Sequence, residues 1–328
     1  MSSIENVTTI PTSLTFRDIL GSWKVRWGIG RMSYTVEPGL YAVGTPTGDS
    51  PVLVSANYKL TFDVLRKNLA DLNCWLLILD TKGVNVWCAA GKGTFGTDEL
   101  VNRIEAVKLS EVVVHKKLIL PQLGAPGISA HEITRRTGFS VIYGPIQASD
   151  IKAFLSSGYK ATEQMRSVRF TLWDRLVLIP MELVEVAKIS LKIFGVLFLI
   201  NLFATRSFGM SDFFAYAASV LVGAVITPAL LPFIPGRAFA FKGWLLGAIG
   251  TAFIAWGYGW FAPPDLLLGI GYMLVLPAHA SFLAMNFTGA STYTSPSGVL
   301  KEMKIALPLI ILSTLAGIIL ILIKAFMG

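Results

Sequence analysis

Hydrophobic positions along the chain follow two regimes. Up to about residue 165 they come in short runs alternating with helical spacing. Val52-Leu53-Val54 is a brief apolar run, and the following stretch places Leu60, Val64, Leu65, Leu69 and Leu72 at helical intervals. Trp75 to Leu79 is continuously apolar and closed by Asp80, the pattern of a strand covered on both faces. Thr97 stands where a cap is wanted for a helix over Asp98–Lys108, with acids in its first turn. Val112–Val114, Leu118–Leu120 and Phe139–Tyr143 are further strand candidates. Ser129-Ala130-His131-Glu132 has capping-box spacing, and Ser149 is placed to cap a last helix through Leu155. The alternation predicts an α/β, Rossmann-like domain with a mostly parallel sheet. Ligands of such sheets sit beyond the carboxyl ends of the strands, here the loops after Leu79, Leu120 and Ile142.

Beyond residue 186 the runs lengthen. A membrane crossing needs about 20 mostly apolar residues, and five stretches qualify: about 187–204, 213–234, 239–261, 266–287 and 305–326. This predicts an all-α five-helix transmembrane domain over 187–328, the Rossmann-like α/β domain over 1–165, and a linker at 166–186. The stretch from Glu163 to Val186 reads as an amphipathic interfacial helix, with Trp173, Leu176, Leu178 and Ile179 toward lipid and arginines toward phosphates. A plain basic linker fits the same residues.

Composition supports the division. Of 328 residues 53% are hydrophobic and 15% charged, with mean hydropathy +0.62. Residues 1–180 hold 20 Lys and Arg with 15 Asp and Glu, against 8 and 5 in residues 181–328. The net charge of +8 therefore needs no nucleic-acid partner. With residues 1–186 inside, Arg166, Arg169, Arg175, Lys188 and Lys192 flank the first span, and Arg237, Lys242, Lys301 and Lys304 fall in inner loops. The outer connections hold Arg206, and Lys324 near the C-terminus is the exception. The expected place is the inner, cytoplasmic membrane as a multi-pass protein, its soluble domain cytoplasmic. The opening residues lack the basic and apolar regions of a signal peptide. Inside the apolar spans, Asn201 and His279 are candidates for function or for helix–helix hydrogen bonding.

The chemistry concentrates after the Trp75–Leu79 strand, in Asn85-Val86-Trp87-Cys88-Ala89-Ala90-Gly91-Lys92-Gly93-Thr94-Phe95-Gly96. A phosphate loop fails here, because Val86 and Gly93 occupy positions that need Gly and Ser or Thr. Gly91, Gly93 and Gly96 spell a dinucleotide pattern, yet they lie well beyond the strand and no closing acid follows. What remains is a cysteine among small residues beside an indole, open to a large flat ligand and offering a soft thiolate. A buried structural thiol fits too, as does a nucleophile with His115 or His131 as base. Cys74 opens the strand and reads as core. Two cysteines cannot hold an iron–sulfur cluster, which wants about four thiolates.

Asn85 to Lys92, read N-V-W-C-A-A-G-K, resembles the signature of the mercury-methylating corrinoid protein family. Residues 51–63 and 93–99 resemble the corrinoid domain of the corrinoid iron–sulfur protein. That family joins a corrinoid domain to five membrane spans, so the resemblance covers nearly the whole chain. It implies a methyltransferase that passes a methyl group from a base-off, cobalamin-type corrinoid to Hg(II), forming methylmercury. Cys88 would be the catalytic residue and the axial cobalt ligand, through sulfur. Asn85, Val86, Trp87, Ala89, Ala90, Gly91, Lys92, Gly93 and Thr94 would form a cap helix and meet the corrin, joined by Asn57, Gly124, Tyr143 and Gly144. As plain turns, Gly124, Tyr143 and Gly144 are equally well explained. The implied partners are a small ferredoxin with [4Fe-4S] clusters, because this chain cannot carry its own, and a methyltetrahydrofolate-linked methyltransferase system as methyl donor. The alternative within the resemblance is a corrinoid methyl carrier of one-carbon metabolism.

Overall fold

The computed structural model of the chain describes residues 7–290 and 296–327. They divide into two units, up to Arg169 and from Phe170 on, so the second unit begins inside the expected linker.

In the first unit, β3 (Val52–Ala56) and β4 (Cys74–Leu79) are buried along their whole length, as central parallel strands covered on both faces must be. Counting along the chain, β1 (Thr8–Thr9), β2 (Gly39–Val43), β5 (Lys117–Leu120) and β6 (Ser140–Tyr143) complete a sheet of order β1-β2-β4-β3-β5-β6. It is mixed: β4, β3, β5 and β6 run parallel, while β2 lies antiparallel to β4. Alternation sends Leu76 and Ile78 to one core, with Phe62, Leu69 and Phe154, and Trp75, Leu77 and Leu79 to the other, with Phe95, Leu100 and Phe139. Each such side chain contributes about 1.5–3 kcal/mol by leaving water.

The helices are α1 (Phe16–Arg26), α2 (Lys59–Lys67), α3 (Val86–Lys92), α4 (Thr97–Ala106), α5 (Leu109–Val112), α6 (Ala130–Thr137) and α7 (Ile151–Ser156). A buried ionic network ties α1 to α2. Asp18 accepts from Lys59 at 2.6 Å and Arg66 at 2.7 Å, and Asp63 accepts from the same two cations.

Three local expectations are corrected. Val112–Val114 is not a strand; the chain turns through α5, burying Leu109 and Val112 at i, i+3. Gly96, not Thr97, caps α4, and the Thr97 hydroxyl accepts from the Ser129 N–H at 2.8 Å. Ser129 stands at the N-cap of α6, but its side chain turns to His131 and forms no capping box, and Ser149 lies in a 3₁₀ turn while α7 starts after Asp150.

The second unit is helical: α8 (Leu172–Leu176), α9 (Ile179–Asn201), α10 (Met210–Leu221) continuing through a π turn into α11 (Thr227–Leu230), α12 (Phe239–Gly257), α13 (Leu266–Asn286) and α14 (Pro296–Met327). The interfacial helix expected over Glu163–Val186 is broken in two. Thr171 and Asp174 form a capping box that starts α8, and Pro180 is accommodated only in the first turn of α9. Small residues let the long helices touch through their backbones. A Cβ on Gly243 would lie 2.5 Å from the Ala280 carbonyl oxygen, and one on Gly317 2.6 Å from that of Gly271. Among the described residues four helices are long and apolar enough to cross a membrane: Met210–Leu230, Phe239–Gly257, Leu266–Gly289 and Ser297–Met327. The first stretch expected to span, 187–204, falls in α9 only as far as Asn201, and Glu182, Glu185, Lys188 and Lys192 keep that helix out of the set.

Candidate functional site

The chain reverses its winding at β3, with β4 on one side and β5 on the other, and this switch point is where open α/β sheets leave a crevice. The sequence-predicted residues converge on that edge. Asn57 follows β3, residues 85–94 follow β4, Gly124 follows β5, and Tyr143 and Gly144 end β6. They play different parts there.

Asn57 is the hub of the connection from β4 to α3. Its Oδ1 accepts from the Thr81 N–H at 3.1 Å, the Thr81 hydroxyl at 2.9 Å and the Gly83 N–H at 3.1 Å, while Nδ2 donates to Asp80 at 3.3 Å. The loop needs this support because Lys82 and Gly83 both lie at positive φ. The Asp80 N–H donates to Glu99, which Arg103 holds in turn. The Lys82 ammonium, hydrogen-bonded to Asp80, keeps that carboxyl below the usual carboxylate range. Asn57 is thus turned inward, with its side-chain groups taken up by the protein.

The segment after the loop is a helix. Asn85 caps α3, its side chain accepting from the Cys88 N–H at 3.0 Å, and Gly93 ends it at φ +80°. Val86, Ala89 and Ala90 are buried against the core and the 3₁₀ turn Gln122–Gly127. The fit is close: a Cβ on Gly127 would lie 2.1 Å from the Phe95 carbonyl oxygen and 3.1 Å from the Ala90 Cα. Trp87, Cys88, Gly91 and Lys92 form the outward face, followed by exposed Gly93. A Cβ added at Gly91 or Gly93 would meet no atom within 4 Å. The outward face therefore offers a thiol, half of an indole and unobstructed backbone.

Gly124, Tyr143 and Gly144 reach the edge but are occupied in packing. A Cβ on Gly124 would strike the Phe95 ring at 2.5 Å, and one on Gly144 would press Ile119 at 3.1 Å. The Tyr143 hydroxyl donates to the Ile128 carbonyl at 3.3 Å, and burial raises its phenol above the ordinary value. Two further groups at this edge are buried hydroxyls with no hydrogen-bond partner among the described residues, Thr94 Oγ1 and Tyr58 Oη. Thr94 is one of the sequence-predicted residues, whereas the orphaned state of both hydroxyls depends on tertiary packing that no residue type or spacing reveals.

No base stands with Cys88. His115 binds the Ser50 carbonyl oxygen at 2.9 Å, ahead of β5 at the amino edge, and His131 binds Ser129. Cys74 is buried in β4, where desolvation pushes its thiol up to about 12. Among the described residues no three His, Cys, Asp or Glu side chains come together as a metal site, so Cys88 offers a metal one soft ligand and no chelate.

Residues 18–155 match the family model described as CO dehydrogenase/acetyl-CoA synthase delta subunit. Curated relatives are subunits gamma of the acetyl-CoA decarbonylase/synthase complex. That of Methanopyrus kandleri is 35% identical over 122 residues, 37% of this chain and 26% of the relative. That of Archaeoglobus fulgidus is 33% identical over 135 residues, 40% of this chain and 28% of the relative. That of Methanocaldococcus jannaschii is 31% identical over 131 residues, 39% of this chain and 26% of the relative. The chain spans about a quarter of the length of these relatives, and the matched part is the α/β unit that carries α3: that unit is a distant relative of these subunits.

Proposed function

We propose that the chain is a membrane-anchored corrinoid-dependent methyltransferase that methylates Hg(II), with Cys88 as the residue that would hold the cobalt through its sulfur. The observation that carries this reading is the single solvent-facing thiol on α3, displayed at the switch-point edge beside open Gly91 and Gly93. A lone soft ligand suits a metal whose other positions a macrocycle fills. The similarity of residues 18–155 to subunits of acetyl-CoA decarbonylase/synthase supports a corrinoid over other flat ligands.

A corrinoid bound at α3 would supply a cobalt-carried methyl group. The protein's part is to hold one sulfur in place. Asn85 pins the backbone at Cys88, and Val86, Ala89 and Ala90 lock the helix to the core, so the sulfur faces outward without freedom to turn in. Cys88 would give its thiol proton to solvent in order to hold the cobalt, and its soft sulfur would supply electron density suited to methyl transfer to a soft electrophile such as thiolate-bound Hg(II). Trp87, 48% exposed, flanks the sulfur and sheds water from the reacting face once covered. Gly91 and Gly93 admit a broad ring close to the backbone.

Recharging such a centre takes low-potential electrons. Two cysteines, one of them buried, leave no cluster in this chain, so a small ferredoxin with [4Fe-4S] clusters is the electron donor in this reading. A methyltetrahydrofolate-linked methyltransferase system is the methyl donor. The apolar helices anchor the protein in the inner membrane with the α/β unit in the cytoplasm, and α9 is a fifth crossing with Lys188 and Lys192 at its inner end.

The test is cobalt content and absorption spectrum of the purified full chain, followed by offering the methylated protein either thiolate-bound Hg(II) or a nickel-enzyme acceptor. Stoichiometric cobalt, a sulfur-ligated spectrum and methylmercury are expected. Absence of cobalt overturns the corrinoid reading. Transfer to nickel alone favours a methyl carrier of one-carbon metabolism, the second reading that the gamma-subunit relatives support.

A further inference from the structure

We infer that the helical unit binds a phenol-type lipid, an aromatic hydroxyl on a long apolar tail, in a cavity whose polar contact is His279. The inference is independent of the site at α3. The cavity measures about 970 Å³ and is lined by α9, α10, α13 and α14. That is at the upper end of the volumes that hold drug-sized ligands, roughly 300–1,000 Å³.

Lys192 and Thr314 also line the wall; of its other polar groups, Asn201, Asp212, Tyr216 and Tyr272 are engaged within the protein, and His279 is the informative one. Asn201 donates to the Phe208 carbonyl at 3.0 Å and accepts its N–H at 2.7 Å. Asp212 is held by Arg206 and by the Tyr272 hydroxyl. Ser190 donates to the Val186 carbonyl at 2.8 Å, so the Tyr216 hydroxyl, 2.7 Å away, must donate to Ser190. The same proton count decides the imidazole. Ser219 has one hydroxyl proton and gives it to the Tyr216 carbonyl at 2.8 Å. Its 2.8 Å contact with His279 Nδ1 is then a hydrogen bond only if Nδ1 carries the proton. Nε2 is left as a bare acceptor, and among the described residues nothing donates to it. An acceptor without a donor inside hydrocarbon is costly. A ligand hydroxyl removes that cost.

The surroundings define the rest of the ligand. His279 stacks on Tyr216 with ring centroids 5.0 Å apart, Phe194 meets Tyr216 edge-on at 5.4 Å, and Phe282 completes an aromatic collar suited to a flat ring. Beyond it the wall turns aliphatic, with Leu197 and Ile200 on α9 facing Ile311 and Leu315 on α14, room for an apolar tail. The most apolar window of α14 is only 11% buried, against 56% for α13, so the tail's side is reachable from the bilayer.

The full chain in detergent micelles, titrated in native mass spectrometry with 4-dodecylphenol, its methyl ether and dodecanol, tests this. Wild type should hold the phenol about five- to tenfold more tightly than the ether, the worth of one neutral hydrogen bond, and more tightly than dodecanol. His279→Phe should erase the phenol–ether difference, and His279→Gln should keep part of it. Ser219→Ala, which frees the tautomer, should narrow it without altering the cavity wall, and it carries the test if His279→Phe does not fold. Equal binding of phenol and ether by wild type marks the cavity as a seat for ordinary acyl chains and overturns the inference. So does dodecanol binding as tightly as the phenol, or full discrimination in His279→Phe or Ser219→Ala.

Discussion

β4 and α3 are neighbours in the chain and opposites in environment. Cys74, at the start of β4, has no solvent exposure, and burial holds its thiol protonated until about pH 12. Cys88, on the outward face of α3, is exposed. The side chain is the same, so the difference is made by what lies between: a short connection in which Asn57 fixes the loop and Asn85 starts a helix that buries one face in the core and leaves the other outward. The strand side is scaffold and the outward helix face is free for chemistry.

The largest expected effect breaks this contrast at the sulfurs. Cys88→Ala should lower methyl transfer to Hg(II) by about 10²-fold or more, the scale for removing a group that acts at the reacting atoms. Its stability should stay within about 0.5 kcal/mol of wild type, as for other surface changes. Cys74→Ser should do the reverse, costing about 1–3 kcal/mol for a buried hydroxyl poorly paired in the strand while activity per folded molecule holds. Urea unfolding beside a methylmercury assay separates the two. A Cys88→Ala protein with undiminished transfer would remove sulfur from the mechanism. Iodoacetamide at pH 8 supplies a structural control: it should label Cys88 and spare Cys74, whose thiolate appears only near pH 12.

Next in size is the hinge between the regions. Asn57→Ala strands the Thr81 and Gly83 N–H groups in a buried loop, at about 1–3 kcal/mol for each donor. Amide exchange should rise from Thr81 to Cys88 and stay low in β4. If α3 keeps wild-type protection, Asn57 is not what positions the thiol.

How much of this was legible follows from the same division. β3, β4 and α2 are visible in the sequence because buried runs and helical spacing are local signals. The edge elements α1, β1 and β2 are not, because their exposed and half-buried positions leave no clean period. The Val112–Val114 run reads as a strand by β-branching alone, and tertiary packing turns it into the end of α5. At the site, Cys88 stands out by residue type and neighbours, and Asn57 only through the resemblance. The roles of Gly124 and Gly144 do not, since only the packed Phe95 and Ile119 reveal that those glycines serve the core. Thr94 was legible through the resemblance, but that its hydroxyl and that of Tyr58 are buried without a partner among the described residues is set by tertiary packing.

A smaller effect sharpens the scaffold side through pH. Burial opposes ionisation of Asp18, but hydrogen bonds from Lys59, Thr15 and Arg66 outweigh it and hold the carboxyl far below the usual range. A carboxyl whose folded pKa lies below its unfolded value, about 3.9, stabilises the fold above that pH. The contribution is lost progressively as pH falls below about 4 toward the folded value. Asp18→Asn should therefore flatten the acid limb of the stability curve of the α/β unit and change little in slope between pH 5 and 8. An unchanged acid limb would mean that the network tying α1 to α2 does not feel the proton.

The smallest change in stability gives the finest test of the outward face. Gly127→Ala forces a methyl group to within 2.1 Å of the Phe95 carbonyl oxygen and should cost about 1–3 kcal/mol or more. Gly91→Ala meets nothing within 4 Å and replaces a glycine inside α3, so it should stabilise the protein by up to about 1 kcal/mol. If the space over Gly91 is empty because a broad ring must lie against it, that more stable protein should retain less cobalt than wild type when both are purified with limiting corrinoid. A variant that is more stable and equally loaded would show that Gly91 is small for no reason connected with the ligand. The cap would then owe its shape to Cys88 and Trp87 alone. Stability and loading moving in opposite directions is an outcome that a purely structural role for α3 does not produce.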